Sequence, residues 1–378
     1  MLTYYDFTQE VPHHWKILPI NLKAVNLIVG ASGSGKSRFL NTFTHFCEFI
    51  TEEKEFYEGR WEVHAEAGGF LYKWEVESKK HSSKENEIFR ELLTRESPNG
   101  PKINLIIRTS KSFKFNDKEM PKLRRDKLSV SLLKEEDDIA PIFSVFSKYL
   151  RRDFQGDSLT QASSLMPLPA QFNKKSKSDV DVKFENIWKE GHSLSSTLFI
   201  LHRFFPKVFS SIVDSYKEVF PIIQEIKVDP HADPDAPVFP NKILPVALVK
   251  EKGVSEWIPI SQLSSGMKKV LLIITDIITL PKESIYMIDE YENSLGINAI
   301  DFLPQFILDK GKDIQYFITT HHPYLINQMP IKDWLVFHRE GSTVKNKSGI
   351  ELEALYGKSK QQAFVQLIND PFYSQVSE

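Results

Sequence analysis

Glycine and serine alternate in Gly30-Ala31-Ser32-Gly33-Ser34-Gly35-Lys36-Ser37, which follows an apolar run at residues 24–29 and precedes a helix-like pattern at 38–43. A buried strand, a glycine-rich turn and a helix beginning at Lys36 are the context in which G-x-x-x-x-G-K-[ST] binds phosphate. The glycines let successive N–H groups point into one concavity, and the helix start adds a partial positive charge. The sequence therefore predicts a phosphate-binding loop in an α/β fold.

Two side chains at the end of this loop have specific roles in such a site. The Lys36 amine neutralises the β- and γ-phosphates, and the Ser37 hydroxyl binds Mg²⁺. Upstream, Trp15 is either a half-buried strand residue or a ring that stacks on the base. The predicted nucleotide-binding residues of this segment are Gly30, Ala31, Ser32, Gly33, Ser34, Gly35, Lys36, Ser37 and Arg38.

The composition is that of an ordinary globular protein. The chain has 378 residues, 41% hydrophobic and 26% charged, with a formal net charge of −2. This length allows two or three structural units, and the near-neutral charge neither predicts nor excludes nucleic-acid binding. A single cysteine, Cys47, and the absence of a leader or of an apolar run of about 18 residues predict a cytoplasmic protein without a membrane segment.

A β-hairpin is predicted downstream of the loop. Alternating aromatic runs flank Gly68-Gly69, and two such runs around a glycine pair are typical of antiparallel strands. We expect a small antiparallel β subdomain beside the nucleotide site.

Residues 79–226 are predicted to form a mixed, mainly helical insertion. One strand is expected at residues 103–108, and the proline-rich segment at 229–242 is expected to be a loop. Residues 173–179 indicate a linker. Helical spacing of apolar side chains is found at residues 88–93, 129–153 and 194–226.

Basic residues form three clusters in this insertion. They either converge on a phosphate backbone or cover a solvated face, because acidic residues such as those at 135–138 are interleaved with them. The clusters are Lys122, Arg124, Arg125 and Lys127; Lys148, Arg151 and Arg152; and Lys174, Lys175 and Lys177.

Three motifs follow in the last third of the chain. Ser264-Ser265-Gly266 opens an apolar helix pattern and is either a second phosphate site or only a helix cap. An apolar strand then ends in Asp289 and Glu290; the first would hold Mg²⁺ and the second would orient or deprotonate the attacking water. Another apolar strand ends at His321, which can donate a hydrogen bond to a γ-phosphate oxygen.

These motifs resemble those of the ATP-binding-cassette (ABC) ATPase superfamily, in its soluble branch of SMC-like, RecF-like and OLD-type proteins. Leu263-Ser264-Ser265-Gly266-Met267 is similar to its signature sequence, residues 285–290 to its Walker B strand and Thr320-His321 to its switch histidine. The run D-E-Y-E-N-S-L-G at 289–296 resembles D-E-P-E-N-G-L-H of OLD-type and AAA-labelled ATPases from bacterial defence systems. The departures are Tyr291, Ser294 and Gly296. The resemblance covers about residues 20–75 and 245–340, and leaves the Q-loop glutamine unassigned.

The resemblance implies a head-to-tail homodimer, or a higher oligomer, that sandwiches two ATP molecules with Mg²⁺. In that family the signature serine contacts nucleotide bound by the partner, so Ser264, with Ser265 and Gly266, would act in trans. The implied metal ligands are Ser37 and Asp289, and the implied catalytic residues are Lys36, Glu290 and His321.

The implied role is an ATPase that senses, scaffolds or regulates an effector in a bacterial anti-phage system, by analogy with Septu-like and PARIS-like proteins. The chain after His321 is too short for the nuclease domain of OLD proteins, so we expect the nuclease or toxin to be a separate chain. The alternative is a DNA-binding ATPase of repair or recombination. A transporter engine is disfavoured because the segment between Lys36 and Ser264 is long, and a small-molecule kinase has no use for the signature serine.

Three segments are expected on this basis. Residues 1–78 would form the first part of an ABC-type ATPase head with its β subdomain, residues 79–226 the insertion, and residues 227–378 the second part of the head.

Overall fold

The structure is a computed structural model, and it describes residues 1–9, 14–51, 54–55, 57–80, 86–98, 100–154, 166–173, 182–188, 192–230, 242–357 and 359–374. The described helices are α1 (Lys36–Ile50), α2 (Ser129–Leu132), α3 (Ala140–Ser147), α4 (Leu194–Phe204), α5 (Pro206–Val219), α6 (Ser265–Thr279), α7 (Ile297–Lys310), α8 (Pro323–Gln328), α9 (Gly349–Tyr356), α10 (Lys360–Asn369) and α11 (Pro371–Ser374). No helix among the described residues is long and apolar enough to cross a membrane.

The described strands are β1 (Leu2–Thr8), β2 (Lys16–Asn21), β3 (Val25–Val29), β4 (Gly59–Ala67), β5 (Phe70–Lys80), β6 (Asn86–Glu96), β7 (Lys102–Thr109), β8 (Phe113–Phe115), β9 (Lys118–Met120), β10 (Tyr149–Asp153), β11 (Leu168–Pro169), β12 (Ile223–Asp229), β13 (Lys242–Ile243), β14 (Val246–Glu251), β15 (Ile258–Pro259), β16 (Ile285–Asp289), β17 (Gln315–Thr320), β18 (Trp334–Glu340) and β19 (Thr343–Ser348).

The chain divides into two compact units. The first comprises residues 1–152, 283–289 and 313–378, and the second comprises residues 153–282 and 290–312. The division after Arg152 falls inside the segment predicted as an insertion. It also falls between Asp289 and Glu290, so that these neighbouring carboxylates belong to different units.

The first unit contains a parallel core of four strands. β16, β17, β3 and β18 run side by side, with Ile288 opposite Ile318 and Thr319 opposite Ile28. Their buried apolar runs are typical of strands covered on both faces. The carboxyl ends of β3, β16 and β17 therefore lie at one edge of the sheet, where residues that follow these strands can form one site.

Helix α1 packs its aromatic side chains on this core. Phe39 and Phe43 are fully buried, and their ring centroids lie 5.7 Å and 5.6 Å from that of Phe317 on β17. Burial of such rings is the main favourable contribution to folding here. The helix start at Lys36 is thereby fixed against the carboxyl end of β3.

The predicted hairpin is confirmed, and it belongs to a longer antiparallel arm. β4 and β5 pair across Gly68 and Gly69, whose positive φ angles of 57° and 81° suit the tight turn. Trp61 and Trp74 on these strands are fully buried, and Phe46 of α1 lies between them, 5.9 Å and 5.2 Å from their centroids. The described sheet runs in the order β10-β16-β17-β3-β18-β19-β2-β1-β4-β5-β6-β7-β8-β9.

The prediction of a helix at residues 88–93 is wrong, because these residues lie in β6. Two register irregularities, near Ser78 on the neighbouring strand and at Leu93, break the two-residue alternation that identifies a strand. Glu91 also points inward, where its carboxylate lies 3.4 Å from the guanidinium of Arg108 and accepts a hydrogen bond from the Ser129 N–H at 2.9 Å. A charged residue therefore lies on the buried face of β6, where an alternating strand pattern would have an apolar residue.

Two other predicted helical segments are only partly helical. Residues 129–153 form α2 and α3 and then β10, which lies at the edge of the sheet beside β16. Residues 194–226 form α4 and α5, separated at Pro206, and then the start of β12. Proline removes a backbone donor and ends the first helix, which the apolar spacing alone did not indicate.

The described part of the second unit combines α4, α5, α6 and α7 with small antiparallel sheets. β12, β14 and β15 form one sheet, and β11 pairs with β13. Helix α6 buries residues from Lys269 to Thr279 on almost every face. The predicted loop at 229–242 and the linker at 173–179 lie mostly outside the described residues.

Candidate functional site

Two positions of the loop between β3 and α1 require glycine, Gly35 through its backbone conformation and Gly30 through the close approach of neighbouring atoms. Gly35 has a φ of 98°, and a Cβ atom there would lie 2.5 Å from Val344 Cγ2. A Cβ atom at Gly30 would lie 2.5 Å from Ser34 Oγ and 2.7 Å from the Phe337 carbonyl oxygen. The glycines predicted from the sequence are therefore required by geometry.

Polar groups of the loop fit an anionic ligand. Ser34 Oγ is buried and has no hydrogen-bond partner among the described residues, and no side chain caps the first turn of α1. Lys36 donates hydrogen bonds to the carbonyl oxygens of Gly30 (2.7 Å) and Ala31 (3.0 Å), which holds its positive charge on the loop. N–H groups, a hydroxyl and an amine around one turn are what a phosphate group binds.

Side-chain oxygen atoms from the start of α1 and from the ends of β16 and β17 lie close together beside this loop. Asp289 Oδ1, at the end of β16, accepts hydrogen bonds from Ser37 Oγ (3.2 Å) and from Thr319 Oγ1 (2.6 Å). Asp289 is 2% exposed. A carboxylate and hydroxyls are hard oxygen donors, the type that Mg²⁺ prefers when phosphates and water complete its shell. The two metal ligands predicted from sequence are thus adjacent, and their chemistry fits Mg²⁺.

The described residues contain no group of three or more His, Cys, Asp or Glu side chains arranged to hold a metal. A metal at this site would therefore depend on phosphate oxygens as well as on Ser37 and Asp289.

Arg151 belongs to the same cluster, which the sequence did not predict. Its guanidinium lies 3.4 Å from Asp289 Oδ2 and donates a hydrogen bond to Asn41 Oδ1 at 2.6 Å. Its Nε is buried without a hydrogen-bond partner among the described residues. β10 lies beside β16 in the sheet, which brings Arg151 to the Walker B carboxylate.

Arg38, in the first turn of α1, packs against Trp15. The centre of its guanidinium is 4.2 Å from the Trp15 ring centroid, and that of Arg339 is 5.2 Å away. Arg339 also donates a weak hydrogen bond to the Gly33 carbonyl at 3.4 Å. Trp15 thus holds two cations near the loop.

His321 directly follows β17 and is exposed, at the same sheet edge as Asp289. The next residue is tied to the strand end, because the His322 N–H donates to Thr320 Oγ1 at 3.0 Å. The position agrees with the sequence prediction of a histidine beyond a strand edge.

The signature residues lie in the second unit, at the start of α6. Ser264 is the N-cap residue, and its hydroxyl accepts a hydrogen bond from the Met267 N–H at 3.3 Å. Ser264 and Ser265 are exposed. The capping role weighed in the sequence analysis is therefore present, and it leaves the serines accessible.

Glu290 is the first residue of a turn formed by residues 290–294. Its φ is 50°, a left-handed conformation uncommon for a residue with a side chain, and the Asn293 N–H donates to its carbonyl at 3.1 Å. The chain thus turns between Asp289 and Glu290, as the sequence predicted for two neighbouring carboxylates after a strand.

Two arginines of the first basic cluster pair with acidic groups. Arg124 forms an ion pair with Asp126, and Arg125 lies 3.0 Å from Glu87. The cluster of Lys174, Lys175 and Lys177 lies outside the described residues.

A comparison with known families identifies the chain. The sequence profile of the family described as "AAA domain, putative AbiEii toxin, Type IV TA system" matches residues 25–327. The chain belongs to this AAA family. The matched residues include the phosphate-binding loop and the strand that ends in Asp289, and the match supports nucleotide hydrolysis in general. No curated protein matched the sequence.

Three solved structures of SMC heads are similar to this AAA-family chain. An SMC head bound to the C-winged helix domain of ScpA has a TM-score of 0.49 and 13% identity, covering 92% of this chain and 97% of the other. A Pyrococcus furiosus SMC head with an extended coiled coil gives 0.47 and 12%, covering 94% and 98%. The Thermotoga maritima SMC head gives 0.42 and 12%, covering 92% and 98%.

We expect Arg151→Met to lower the ATP turnover of this AAA-family chain roughly tenfold, because the Asp289 carboxylate loses a charged partner that fixes its orientation. Phosphate release is measured without DNA, with thermal unfolding in parallel. Lys148→Met is the matched control, since Lys148 belongs to the same sequence cluster and its carbonyl accepts a hydrogen bond from the Ile285 N–H at 2.8 Å, a backbone contact that the substitution keeps. Equal turnover in both variants and the wild type would show that Arg151 has no part in this site.

Proposed function

We propose that the chain is an Mg²⁺-dependent ATPase that converts ATP and water to ADP and phosphate. The observation that carries this proposal is the cluster of Ser37, Asp289 and Thr319 oxygens beside a loop that holds Lys36. Family membership supports nucleotide hydrolysis in general.

The proposed chemistry assigns one task to each side chain. Lys36 stabilises negative charge on the β- and γ-phosphates, and Ser37 and Asp289 hold Mg²⁺, which supplies charge neutralisation at the phosphate oxygens. Glu290 accepts a proton from the attacking water, and His321 donates a hydrogen bond to a γ-phosphate oxygen. The support for Glu290 is its place directly after Asp289, in a turn where its φ is 50°.

We test this function with phosphate release by the purified chain. ATP with Mg²⁺ is expected to give turnover, and EDTA is expected to abolish it, because without the metal the negative Asp289 carboxylate would repel the phosphate oxygens. Restored turnover after excess Mg²⁺ is the control for chelator damage. Full turnover in EDTA would contradict the metal assignment, and no turnover under any condition would contradict the ATPase assignment.

We also propose that two copies form a head-to-tail dimer in which Ser264 of one copy contacts ATP bound by the other. Its support is that Ser264 and Ser265 are exposed at the N-terminus of a fifteen-residue helix, where a hydroxyl and N–H groups suit a phosphate. Higher oligomers built from such dimers are compatible with the same contact.

The biological role that we propose is regulation of a separate toxin or nuclease in a bacterial anti-phage system. The description of the family names a putative toxin and a type IV toxin–antitoxin system, which supports a place in such systems. Purification of the tagged chain with its native neighbours tests this role. Co-elution of a nuclease or toxin would support it, and co-elution of recombination proteins alone would contradict it.

A further inference from the structure

A lysine is buried in the signature helix. Lys269 on α6 is 0% exposed, and its amine lies 3.9 Å from the ring centroid of Phe154. The amine donates hydrogen bonds to the carbonyl oxygens of Glu290 at 3.1 Å and Asn293 at 3.0 Å. Lys269 therefore connects the helix that begins after Ser264 with the turn that carries the proposed catalytic base.

This turn needs external support. Glu290 and Ser294 have φ angles of 50° and 64°, and non-glycine residues keep such angles only where surrounding contacts hold them. The Asn293 side-chain amide donates to the Phe154 carbonyl at 3.4 Å, which ties the turn to the residue that also stacks on Lys269. The hydrogen bonds from Lys269 therefore stabilise an unfavourable backbone conformation in this turn.

A second contact joins the same helix to the end of the turn. A Cβ atom at Gly266 would lie 2.4 Å from the Ser294 carbonyl oxygen, so the turn packs directly on the helix backbone. Gly266 thus contacts the turn at Ser294, and Lys269 contacts it at Glu290 and Asn293. The signature helix holds both ends of the turn.

The amine is a costly group at this position. Burial lowers the pKa of Lys269 to about 7, against the opposing charges of Glu292 and Glu290. An apolar side chain of similar size would fill the same space without this cost. Unlike an apolar side chain, the amine can donate hydrogen bonds to both carbonyl oxygens. It has enough N–H groups for both even when it is neutral, because a neutral amine keeps two.

We propose that Lys269 is a positioning residue, which fixes the turn so that the Glu290 carboxylate is held in place to accept a proton from water. This inference rests on the proposed function, because it assumes that Glu290 is the base. The proposal has a consequence for ligand binding. A ligand that contacts Ser264 binds at the start of the same helix whose Lys269 positions Glu290.

The test measures kcat and KM for ATP in Lys269→Met, with Lys268→Met as the matched control. Lys268 is the preceding residue, and its amine donates a hydrogen bond to the Ser261 carbonyl at 3.2 Å, away from the turn at 290–294. We expect Lys269→Met to lower kcat at least tenfold with KM within about twofold, because a misplaced base slows chemistry and leaves ATP binding intact. Lys269→Arg, which keeps the donors, is expected to recover kcat at least in part, and Lys268→Met to match the wild type.

A double variant separates positioning from a general structural role. If Lys269 acts through Glu290, adding Lys269→Met to Glu290→Gln lowers the residual rate no further. Independent, multiplicative losses would overturn the proposal, as would a wild-type kcat in Lys269→Met or a rise in KM equal to the whole loss. If Lys269→Met does not fold, Lys269→Gln replaces it, since a shorter amide cannot serve both carbonyls.

The outcomes also distinguish this inference from the proposed function. Wild-type turnover in Glu290→Gln would mean that Glu290 is not the base, which overturns the proposed function. A large loss in Glu290→Gln beside an unchanged Lys269→Met would overturn only the positioning role.

Discussion

Glu290→Gln is expected to lower ATP turnover by roughly 100-fold or more, because the amide cannot accept the proton of the attacking water. ATP binding is expected to persist, since Lys36, Ser37 and Asp289 are unchanged and the substitution preserves the shape of the side chain. Turnover is measured by phosphate release under saturating ATP, and binding by titration with a fluorescent ATP analogue. The variant should therefore bind ATP and remain in the bound state.

A surface carboxylate provides the control for this variant. Glu256 is exposed in the same unit, so Glu256→Gln changes the charge equally and is expected to leave turnover unchanged. A Glu290→Gln protein with turnover within a few-fold of the wild type would contradict the assignment of the base.

Lys36→Ala is expected to weaken ATP binding by at least roughly 100-fold, because the triphosphate loses its principal cation. The loop also loses the two hydrogen bonds that the amine donates to Gly30 and Ala31. Binding is measured with the same fluorescent analogue, and thermal unfolding establishes that the variant is folded.

The control for this second variant is Lys102→Ala, which removes an exposed lysine from β7 in the same unit. It is expected to bind ATP like the wild type. Undiminished binding in Lys36→Ala would contradict the placement of the phosphates on this loop.

The loop could be predicted from the sequence because its determinants are local. Gly30, Gly35 and Lys36 lie within one strand–turn–helix segment, and the positive φ of Gly35 and the close approach of Ser34 to Gly30 are local to it. Asp289 and His321 were predictable for a similar reason: each ends an apolar strand, and parallel strands end at one edge of a sheet.

Arg151 could not be predicted, because its place depends on which strand lies beside β16. In the sequence it is one of several basic residues, and only the sheet order brings it to Asp289. Likewise the apolar spacing near Ile88 fitted a helix, since buried Glu91 and two register irregularities obscure the strand.

A signal for Lys269 is present in the sequence. It lies one residue before Val270 in a helix that is apolar almost throughout, and a charge on such a face indicates a buried partner. The partners themselves are carbonyl oxygens of a distant turn, which no side-chain pattern identifies. The family's Q-loop glutamine has no assignment from the sequence.

The central claim is that a second copy completes the ATP site, and mixing two inactive variants tests it most directly. Lys36→Ala lacks the phosphate-binding lysine, and Ser264→Arg blocks the surface that would contact the ATP of a partner. A mixed dimer has one site with both Lys36 and Ser264 intact, so the mixture is predicted to hydrolyse ATP although neither variant does so alone. A mixture as inactive as its components, or full turnover by Ser264→Arg alone, would contradict the claim.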